Sequence, residues 1–421
     1  MMSQSPEEFP SARGAHLRVA LACLIGNILS PLLLVHVSLG QFLIPVSHEF
    51  NWPRQRVSGV LSLVALVSAV AYPIVGRLAD RFGPRRLILL GLLGAGSGVL
   101  ALGFSTPSAL VFYGIFAVVG AFGSLSSTMI YNQVISRWFD KARGRMLGLT
   151  AGLGNGLGAA VMPFAVLVLM SDWGWRAAFV GLGMIEIAVG FPAILFLLQD
   201  APRGARNRLP SADELPGLTL AQAVCTSSFW LTLAAICLGA GCLTAVLAHV
   251  VPILMDRHFP ASQATLVVSL FAMVGAGWMV VVGWLLDKVD SPRIIVPLYL
   301  ISVLGVFALE HGTTLAELSA GGAMMGIGLG TEYAALSYFI SRYFGLRRFG
   351  LISGVMYSAV TIAQGATPYL MDVDFDRQKS YFLSLHLIEG ALVVGAALIA
   401  CLPRYEATKA ASQQVKTAST A

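Results

Sequence analysis

Six ionisable side chains lie inside long apolar stretches of this sequence. They are His36, Glu186, His249, Glu332, His386 and Glu389. An ionised side chain in the hydrocarbon of a membrane costs about 2.5 kcal/mol or more, so such residues are rare and usually functional. Carboxyl and imidazole groups can also take up and release protons there. These residue types therefore suggest proton exchange or the binding of a polar solute.

Neutral hydrogen-bonding side chains lie in similar stretches. Tyr131 and Asn132 lie in one, and Tyr357 and Gln364 lie in another. A pocket with so few charges suits a small, partly apolar solute better than a polyphosphate or a sugar. The predicted solute contacts are His36, Tyr131, Asn132, His249, Glu332, Tyr357 and Gln364.

The stretches that carry these residues are long enough to cross a membrane. The chain has 421 residues, of which 57% are hydrophobic and 11% are charged, and its mean hydropathy is +0.78. A helix that crosses a bilayer needs roughly 20 apolar residues. The sequence therefore predicts twelve membrane spans, near residues 17–44, 56–78, 86–104, 108–137, 145–170, 175–199, 228–254, 264–286, 293–309, 316–343, 350–371 and 380–402.

A polar segment divides these spans into two sets of six. Residues 1–199 form the predicted first half, residues 200–227 a cytoplasmic linker, and residues 228–402 the second half. Residues 403–421 form a polar tail. The polar start of the chain is followed by an apolar run too long for a signal peptide, so we expect no cleaved leader.

The positions of Lys and Arg predict the orientation of the chain. Of the 27 Lys and Arg residues, those in the loops of one side are Arg54, Arg56, Arg176, Arg257, Arg377 and Lys379. All others fall on the side of the two termini. Basic loops stay in the cytoplasm. We therefore predict a multi-pass protein of the cell (inner) membrane with both termini in the cytoplasm, and the net charge of +6 does not indicate nucleic-acid binding.

Two charged loops repeat one pattern, once in each half. Gly76 and Asp80 in the first loop are followed by Gly283 and Asp287, each 207 residues later. A second pair of segments, 135–139 and 340–344, recurs after 205 residues and joins Ile-Ser-Arg to an aromatic pair. Internal duplication of this kind is common in secondary transporters.

The first loop resembles the motif between helices 2 and 3 of the major facilitator superfamily. The resemblance rests on the glycine, the Asp-Arg pair and the basic pair that follows, and the second loop resembles the weaker copy between helices 8 and 9. It covers nearly the whole chain and implies an all-α membrane protein of two pseudo-symmetric six-helix halves. The residues that would carry this conformational motif are Gly76, Asp80, Arg81, Gly83, Arg143, Gly283 and Asp287.

The same resemblance implies where these groups act. Spans 1, 4, 7 and 10 would line a central cavity, and Asp80 would dock near Gly350, joined by Arg143 or Arg145. Glu332 lies eleven residues before Tyr343, about 16 Å along a helix. That places it near the midplane of span 10. It is the predicted proton-coupling residue, and the alternative is a bond to a tyrosine that holds span 10 in place.

The other ionisable groups have less central predicted places. Glu186 and Glu389 would lie on outer spans, where structural hydrogen bonding is expected. His386 lies one turn before Glu389 on the same face of span 12 and could be its partner. His36 and His249 would lie toward the outer ends of cavity helices, in solute contact, in gating or simply at the interface.

Two stretches look like the monocarboxylate and oxalate–formate carrier branch of that superfamily. They run from Trp138 to Gly144 and from Leu218 to Trp230. Characterised members of the branch carry an arginine in span 8, where residues 277–282 have no cation. The lysine of the oxalate carriers would fall near Met356. The resemblance therefore implies proton-coupled transport of a monoanion rather than a dianion, held by His, Tyr or amide groups or by Arg54.

Drug or metabolite efflux by proton antiport is the alternative transport function. Such antiporters carry a Gly-Pro pair in helix 5, whereas residues 152–158 contain no proline. The sequence contains no metal-ligand cluster, nucleophile elbow or phosphate loop, so we predict no enzyme, no cofactor and no metal. The odd count of five cysteines argues against a disulfide framework. The expected partners are a small solute, a proton and the lipid bilayer, around a monomer.

Overall fold

The computed structural model describes residues 10–140, 142–199 and 217–405 of the chain. Within these ranges the backbone is helical apart from turns, connections and a single bridge between Gly217 and Gly345. Long apolar runs form helices in a membrane because only a helix satisfies all backbone donors and acceptors within one segment. Among the described residues, ten segments are long and apolar enough to cross a membrane by themselves. One of them, Arg143–Leu197, contains both span 5 and span 6, and the helix Leu315–Phe339 is not among the ten.

The first half contains six spans. Span 1 consists of Pro10–Ile28 and Pro31–Phe50, spans 2 and 3 are Arg54–Phe82 and Pro84–Leu102, and span 4 consists of Ala109–Leu125 and Thr128–Trp138. Spans 5 and 6 follow as Arg143–Leu147, a π-helical turn Gly148–Leu153, Gly154–Ile185, a second π-helical turn Glu186–Gly190, and Phe191–Leu197. The two spans separate at Gly174, whose φ of 79° suits glycine.

Span 1 differs from the prediction of one continuous helix. It breaks at Leu29 and Ser30, immediately before Pro31. Proline has no amide hydrogen, and its ring collides with the carbonyl four residues earlier, so the helix must restart there.

The second half repeats the arrangement. Spans 7 and 8 are Ser227–Asp256 and Ala261–Lys288, and span 9 consists of the 3₁₀ turn Pro292–Ile295 and Val296–His311. Span 10 is Leu315–Phe339 with a π-helical turn Ile340–Phe344, and spans 11 and 12 are Phe349–Gln378 and Phe382–Ala400. A short helix, Leu220–Val224, precedes span 7, and residues 200–216 lie outside the described residues.

The two halves meet through glycines at the side of the two repeated loops, which we call the motif face. A Cβ on Gly76 of span 2 would overlap the carbonyl oxygen of Gly350 of span 11. Likewise, a Cβ on Gly283 of span 8 would overlap the carbonyl oxygen of Gly144 of span 5. Small residues allow such close backbone contact between membrane helices. The spans therefore pack as two equivalent pairs, 2 with 11 and 5 with 8.

The contacts within both pairs of spans begin at the motif face and continue to the middle of the spans. Among the described residues, the hydrogen bond between spans 2 and 11 that lies farthest from the motif face joins Ser358 to the carbonyl oxygen of Ala69 at 2.5 Å. One turn further along the same faces, Leu66 and Ile362 are 62% and 58% exposed. In the other pair Gly156 still contacts Ala276, whereas Met273 is 67% exposed. Among the described residues, the hydrogen bonds and glycine contacts between these spans therefore lie toward the motif face.

We expect that replacement of Gly76 by valine will shift the molecule away from this arrangement. The added side chain cannot fit against Gly350, and overpacking of this kind costs about 1–3 kcal/mol. Spin labels at Leu66 and Ile362 should then move closer together, as measured by electron double resonance. Gly114→Val is the matched control, because a Cβ at Gly114 meets no atom within 4 Å. An unchanged distance distribution in a folded Gly76→Val protein would contradict this interpretation of the contact.

Candidate functional site

Asp80 is the most extensively bonded side chain of the motif face. One carboxylate oxygen accepts from the Gln133 amide at 2.7 Å, from the Arg137 guanidinium at 3.1 Å and from the Gly350 amide at 3.0 Å. The other oxygen accepts from the Leu351 amide at 2.9 Å. A carboxylate at a helix N-terminus is favoured by the unpaired amides and the helix dipole. Asp80 thus joins spans 2 and 4 of one half to span 11 of the other.

Asp287 makes the equivalent contact in the second pair of spans. Its two oxygens accept from the backbone amides of Gly144 and Arg145, at 2.7 and 2.8 Å. The acceptors Asp80 and Asp287 are 207 residues apart, and the amides that bind them are 206 residues apart. The hydrogen bonds between the two halves are therefore repeated at equivalent positions of the internal duplication.

The arginine that pairs with Asp80 is not one of the two expected residues. Arg137 fills this place because it lies one turn after Gln133 on span 4. Arg143 instead donates to the Phe139 carbonyl oxygen at 3.0 Å and to Asp140 at 3.2 Å. The side chain of Arg81 lies over the Phe82 ring. Gly83, with φ of 86°, allows the chain to turn from span 2 into span 3.

A second polar contact joins the halves nearer the middle of the membrane. Asn132 of span 4 donates its amide to Ser337 of span 10 at 3.0 Å and to the Tyr357 hydroxyl of span 11 at 3.2 Å. The Ser337 and Tyr357 hydroxyls are 2.9 Å apart. Asn132 and Ser337 are 205 residues apart, the interval of the second sequence repeat, so they are equivalent residues that meet near the pseudo-twofold axis. We call these three residues the axial cluster.

A small cavity lies beside the axial cluster in the second half. Its volume is about 30 Å³, enough for one or two water molecules. None of the residues that line it is a Lys or Arg. They are Ile236, Ala240, Glu332, Tyr333, Leu336, Tyr357, Val360, Thr361 and Gln364.

Glu332 forms one wall of this cavity and is almost fully buried, at 1% exposure. Neither carboxylate oxygen has a hydrogen-bond partner among the described residues. A Cβ on Gly239 of span 7 would overlap one of these oxygens, so the carboxyl group packs directly on that backbone. The nearby Tyr299 hydroxyl donates to the Ala235 carbonyl oxygen at 3.2 Å. The Tyr299 hydroxyl and the Glu332 carboxyl group lie side by side against Gly239, so a bond between them remains the alternative role of Glu332.

Gln364 of span 11 also lines the cavity. Its amide donates to the Tyr333 hydroxyl at 2.9 Å and approaches Thr244 of span 7 at 3.4 Å. Sequence reasoning selected Gln364 and Tyr357 but missed Tyr333 and Ser337. Both missed residues lie on span 10 within five positions of Glu332, and the 205-residue repeat interval from Asn132 could have identified Ser337.

Tyr131 does not join the axial cluster, although it precedes Asn132. Its ring packs on Gly26 of span 1, and its buried hydroxyl has no partner among the described residues. It lies near Glu186 of span 6, which is fully buried with both oxygens likewise unbonded. Adjacent helix positions point about 100° apart, so Tyr131 faces the interior of the first half.

The two predicted histidines of the cavity helices lie on spans 1 and 7. His249 is buried and bonded through its two ring nitrogens, to the Ala245 carbonyl oxygen and to Asp372 of span 11, each at 2.8 Å. This pair ties spans 7 and 11 together on the side away from the motif face. The side chain of His36 lies outside the described part of the structure.

Comparison with known proteins identifies the class of protein that this fold and site define. The sequence profile of the Major Facilitator Superfamily matches residues 19–368. The chain therefore belongs to the major facilitator superfamily, whose members are transporters rather than enzymes. The predicted superfamily, the twelve-span fold and the absence of an enzymatic function are thereby confirmed.

Particular relatives agree with this assignment. Human monocarboxylate transporter 11 is 27% identical over 386 residues, which cover 87% of this chain and 79% of that protein. The uncharacterized MFS-type transporter YcxA of Bacillus subtilis is 24% identical over 277 residues, 64% of this chain and 65% of that one. Among solved structures, the Escherichia coli fucose:proton symporter FucP superposes with a TM-score of 0.66 at 15% identity, over 92% of this chain and 97% of that chain.

We expect Asp80→Asn to slow transport and to leave equilibrium solute binding almost unchanged. The substitution removes the charge that Arg137 and two helix amides bind, and hydrogen bonds to a charged group contribute about 1.5–3 kcal/mol each. Transport rates and binding affinity would be measured on the same purified protein in vesicles and in detergent.

Asp287→Asn is the comparison variant for this experiment. Asp287 is bonded by two backbone amides, whereas Asp80 also pairs with Arg137. The Asp287 variant should therefore lose less transport. A large loss of solute affinity in Asp80→Asn would place Asp80 in solute binding and refute the conformational role.

Proposed function

We propose that this protein is a proton-coupled secondary transporter of a small monocarboxylate-type anion. The observation that carries the proposal is Glu332, a buried carboxyl group beside a cavity whose described lining contains no Lys or Arg. A relative named as a monocarboxylate transporter supports the solute class. Transport would follow alternating access of the two halves, with a proton and the solute moving together.

The orientation proposed from the basic loops assigns a direction to the structure. With the motif face in the cytoplasm, the contacts between the halves lie on the cytoplasmic side, and the opposite side would open to the outside. Solute would enter from there and reach the axial cluster, where Asn132 still has a buried carbonyl oxygen without a partner. The glycine contacts and the two aspartates close the cytoplasmic side in this state.

Glu332 would couple the proton to solute binding through its charge. An ionised carboxylate without hydrogen bonds is costly in such a dry site, and it also repels an anionic solute. Protonation removes both costs, since the neutral acid can donate a hydrogen bond to a carboxylate. Neutral donors would then bind the solute. The residues of the cavity wall that carry such donors include Tyr333, Tyr357 and Gln364.

The change from the outward-open to the inward-open state would require the contacts of the motif face to break. The carboxylates of Asp80 and Asp287 accept hydrogen bonds from backbone amides at helix N-termini of the other half. These hydrogen bonds can break because water molecules and nearby arginines can take the place of the amides as donors. The two halves would rock about a site near the midplane, as is common in transporters built from repeats. Binding of the proton and the solute would favour the state in which the outer side is closed.

We expect Glu332→Gln to abolish accumulation driven by a pH gradient and to retain solute exchange. Glutamine keeps the shape of the side chain but cannot bind and release a proton. Proteoliposomes would be tested with a panel of carboxylates, amino acids and cationic drugs, with and without an imposed gradient. Full accumulation by this variant would remove Glu332 from the mechanism, and uptake of drugs but not carboxylates would favour the antiport alternative.

Glu186→Gln is the matched control for this test. Glu186 is also buried without hydrogen-bond partners, but it lies in the first half beside Tyr131 and does not line the cavity. We expect the Glu186→Gln variant to retain solute accumulation driven by the pH gradient. Equal loss in both variants would indicate a structural effect of removing a buried carboxyl group.

We expect Tyr357→Phe to weaken solute binding by about fivefold, the equivalent of about 1 kcal/mol. The change removes the hydroxyl that contacts both Asn132 and Ser337 and also lines the cavity. Tyr369→Phe on the same span is the control, because that side chain is 67% exposed. Half-saturation of solute exchange would be compared, and an unchanged value for Tyr357→Phe would exclude its hydroxyl from the site.

A further inference from the structure

A mixed cluster of carboxyl and imidazole groups lies far from the axial cluster, between the ends of spans 9 and 12 away from the motif face. It contains Glu310 of span 9 and His386 and Glu389 of span 12, whose ligand atoms all lie within 4.8 Å of one another. We propose that this cluster is a zinc-binding site, and we call it the outer cluster. It is independent of the proposed transport function.

The spacing of the donor atoms suits a single small ion. Glu310 Oε1 lies 3.3 Å from His386 Nδ1. Zinc ligands lie about 2.0–2.2 Å from the metal in a tetrahedron, which sets two ligand atoms about 3.3–3.5 Å apart. Glu389 lies one helical turn after His386, so both point to the same side of span 12. His311 lies 4.0 Å from the other oxygen of Glu310 and could supply a fourth ligand.

The central ligand of the outer cluster lacks hydrogen bonds. The side chain of Glu310 is 9% exposed, and its nearest polar neighbours are the histidine nitrogens at 3.3 and 4.0 Å, neither of which makes a hydrogen bond to it among the described residues. One oxygen of Glu389 is likewise buried without a partner. Buried carboxylates are costly unless they are paired or coordinate a metal. A divalent cation held between them would remove this cost.

The identity of the donors favours zinc over the hard cations. Magnesium and calcium prefer oxygen ligands, whereas imidazole suits zinc. His386 Nδ1 lies 2.9 Å from the Phe382 carbonyl oxygen, so metal binding would replace that contact. The neutral ring with its proton on Nε2 has the free Nδ1 lone pair that zinc requires. The His386 side chain is 44% exposed, which gives the ion an entry path.

Zinc at this place would link spans 9 and 12 within the second half. Because both spans belong to one half, the ion would not bridge the two halves that must rock. The expected effect is greater stability of the folded protein with transport retained, since a ligand that binds only the native state stabilises it.

The test uses the purified full chain in detergent after removal of metals with a chelator. Zinc binding would be measured by competition with a fluorescent zinc indicator, and thermal unfolding would be followed with added zinc or magnesium. We expect one zinc per chain and a rise of the unfolding temperature with zinc but not with magnesium. His386→Ala and Glu389→Gln should each weaken binding by about tenfold or more, because loss of even an outer-sphere partner costs about 10–100-fold.

His48→Ala is the matched control, since His48 is an exposed histidine at the end of span 1 away from the motif face and outside the outer cluster. It should bind zinc as the unchanged protein does. Absence of saturable binding, or equal binding in the two cluster variants and the unchanged protein, would overturn the proposal. Equal stabilisation by magnesium would also overturn it.

Discussion

The arrangement of the two halves depends on carboxylates that bind helix N-termini of the opposite half. Asp80 binds the start of span 11 and Asp287 binds the start of span 5. Each bond requires close backbone contact, which is why glycine occupies both helices at Gly76, Gly350 and their equivalents. A membrane offers little hydrophobic force between helices, so such polar contacts and close packing decide which faces meet. The state of the transporter thus follows from a few residues on one face.

The two halves share the same backbone arrangement, but equivalent side chains have different partners. Asp80 has an arginine partner and a glutamine partner, whereas Asp287 is bonded by two amides. The buried carboxyl groups differ as well, because Glu332 borders a cavity and Glu186 is enclosed in its own half. The two halves therefore pack alike but differ in the surroundings of their buried carboxyl groups. The axial cluster lies where equivalent residues of the two halves touch.

Some of the candidate site could be predicted because it depends on position within one helix. The place of Glu332 on span 10 and the common face of His386 and Glu389 follow from helical rise and period, whereas the ion-pair contact of His386 is with Glu310. Contacts between spans could not be predicted in the same way. Arg137, Ser337 and Tyr333 gained their roles only when separate helices met, and neighbouring residues such as Tyr131 and Asn132 turned to different surroundings. Glu310 joined His386 for the same reason.

The sequence by itself determined the class of the protein. Apolar runs of membrane length define the spans, and two loops at a fixed interval define the duplicated family, because both signals are local in the chain. The tertiary structure decided which face is closed, which arginine pairs with Asp80, and whether each buried carboxyl group finds a partner. These depend on the distance and rotation between helices that are far apart in sequence. Local hydropathy does not encode that geometry, since every span must be apolar whichever neighbour it contacts.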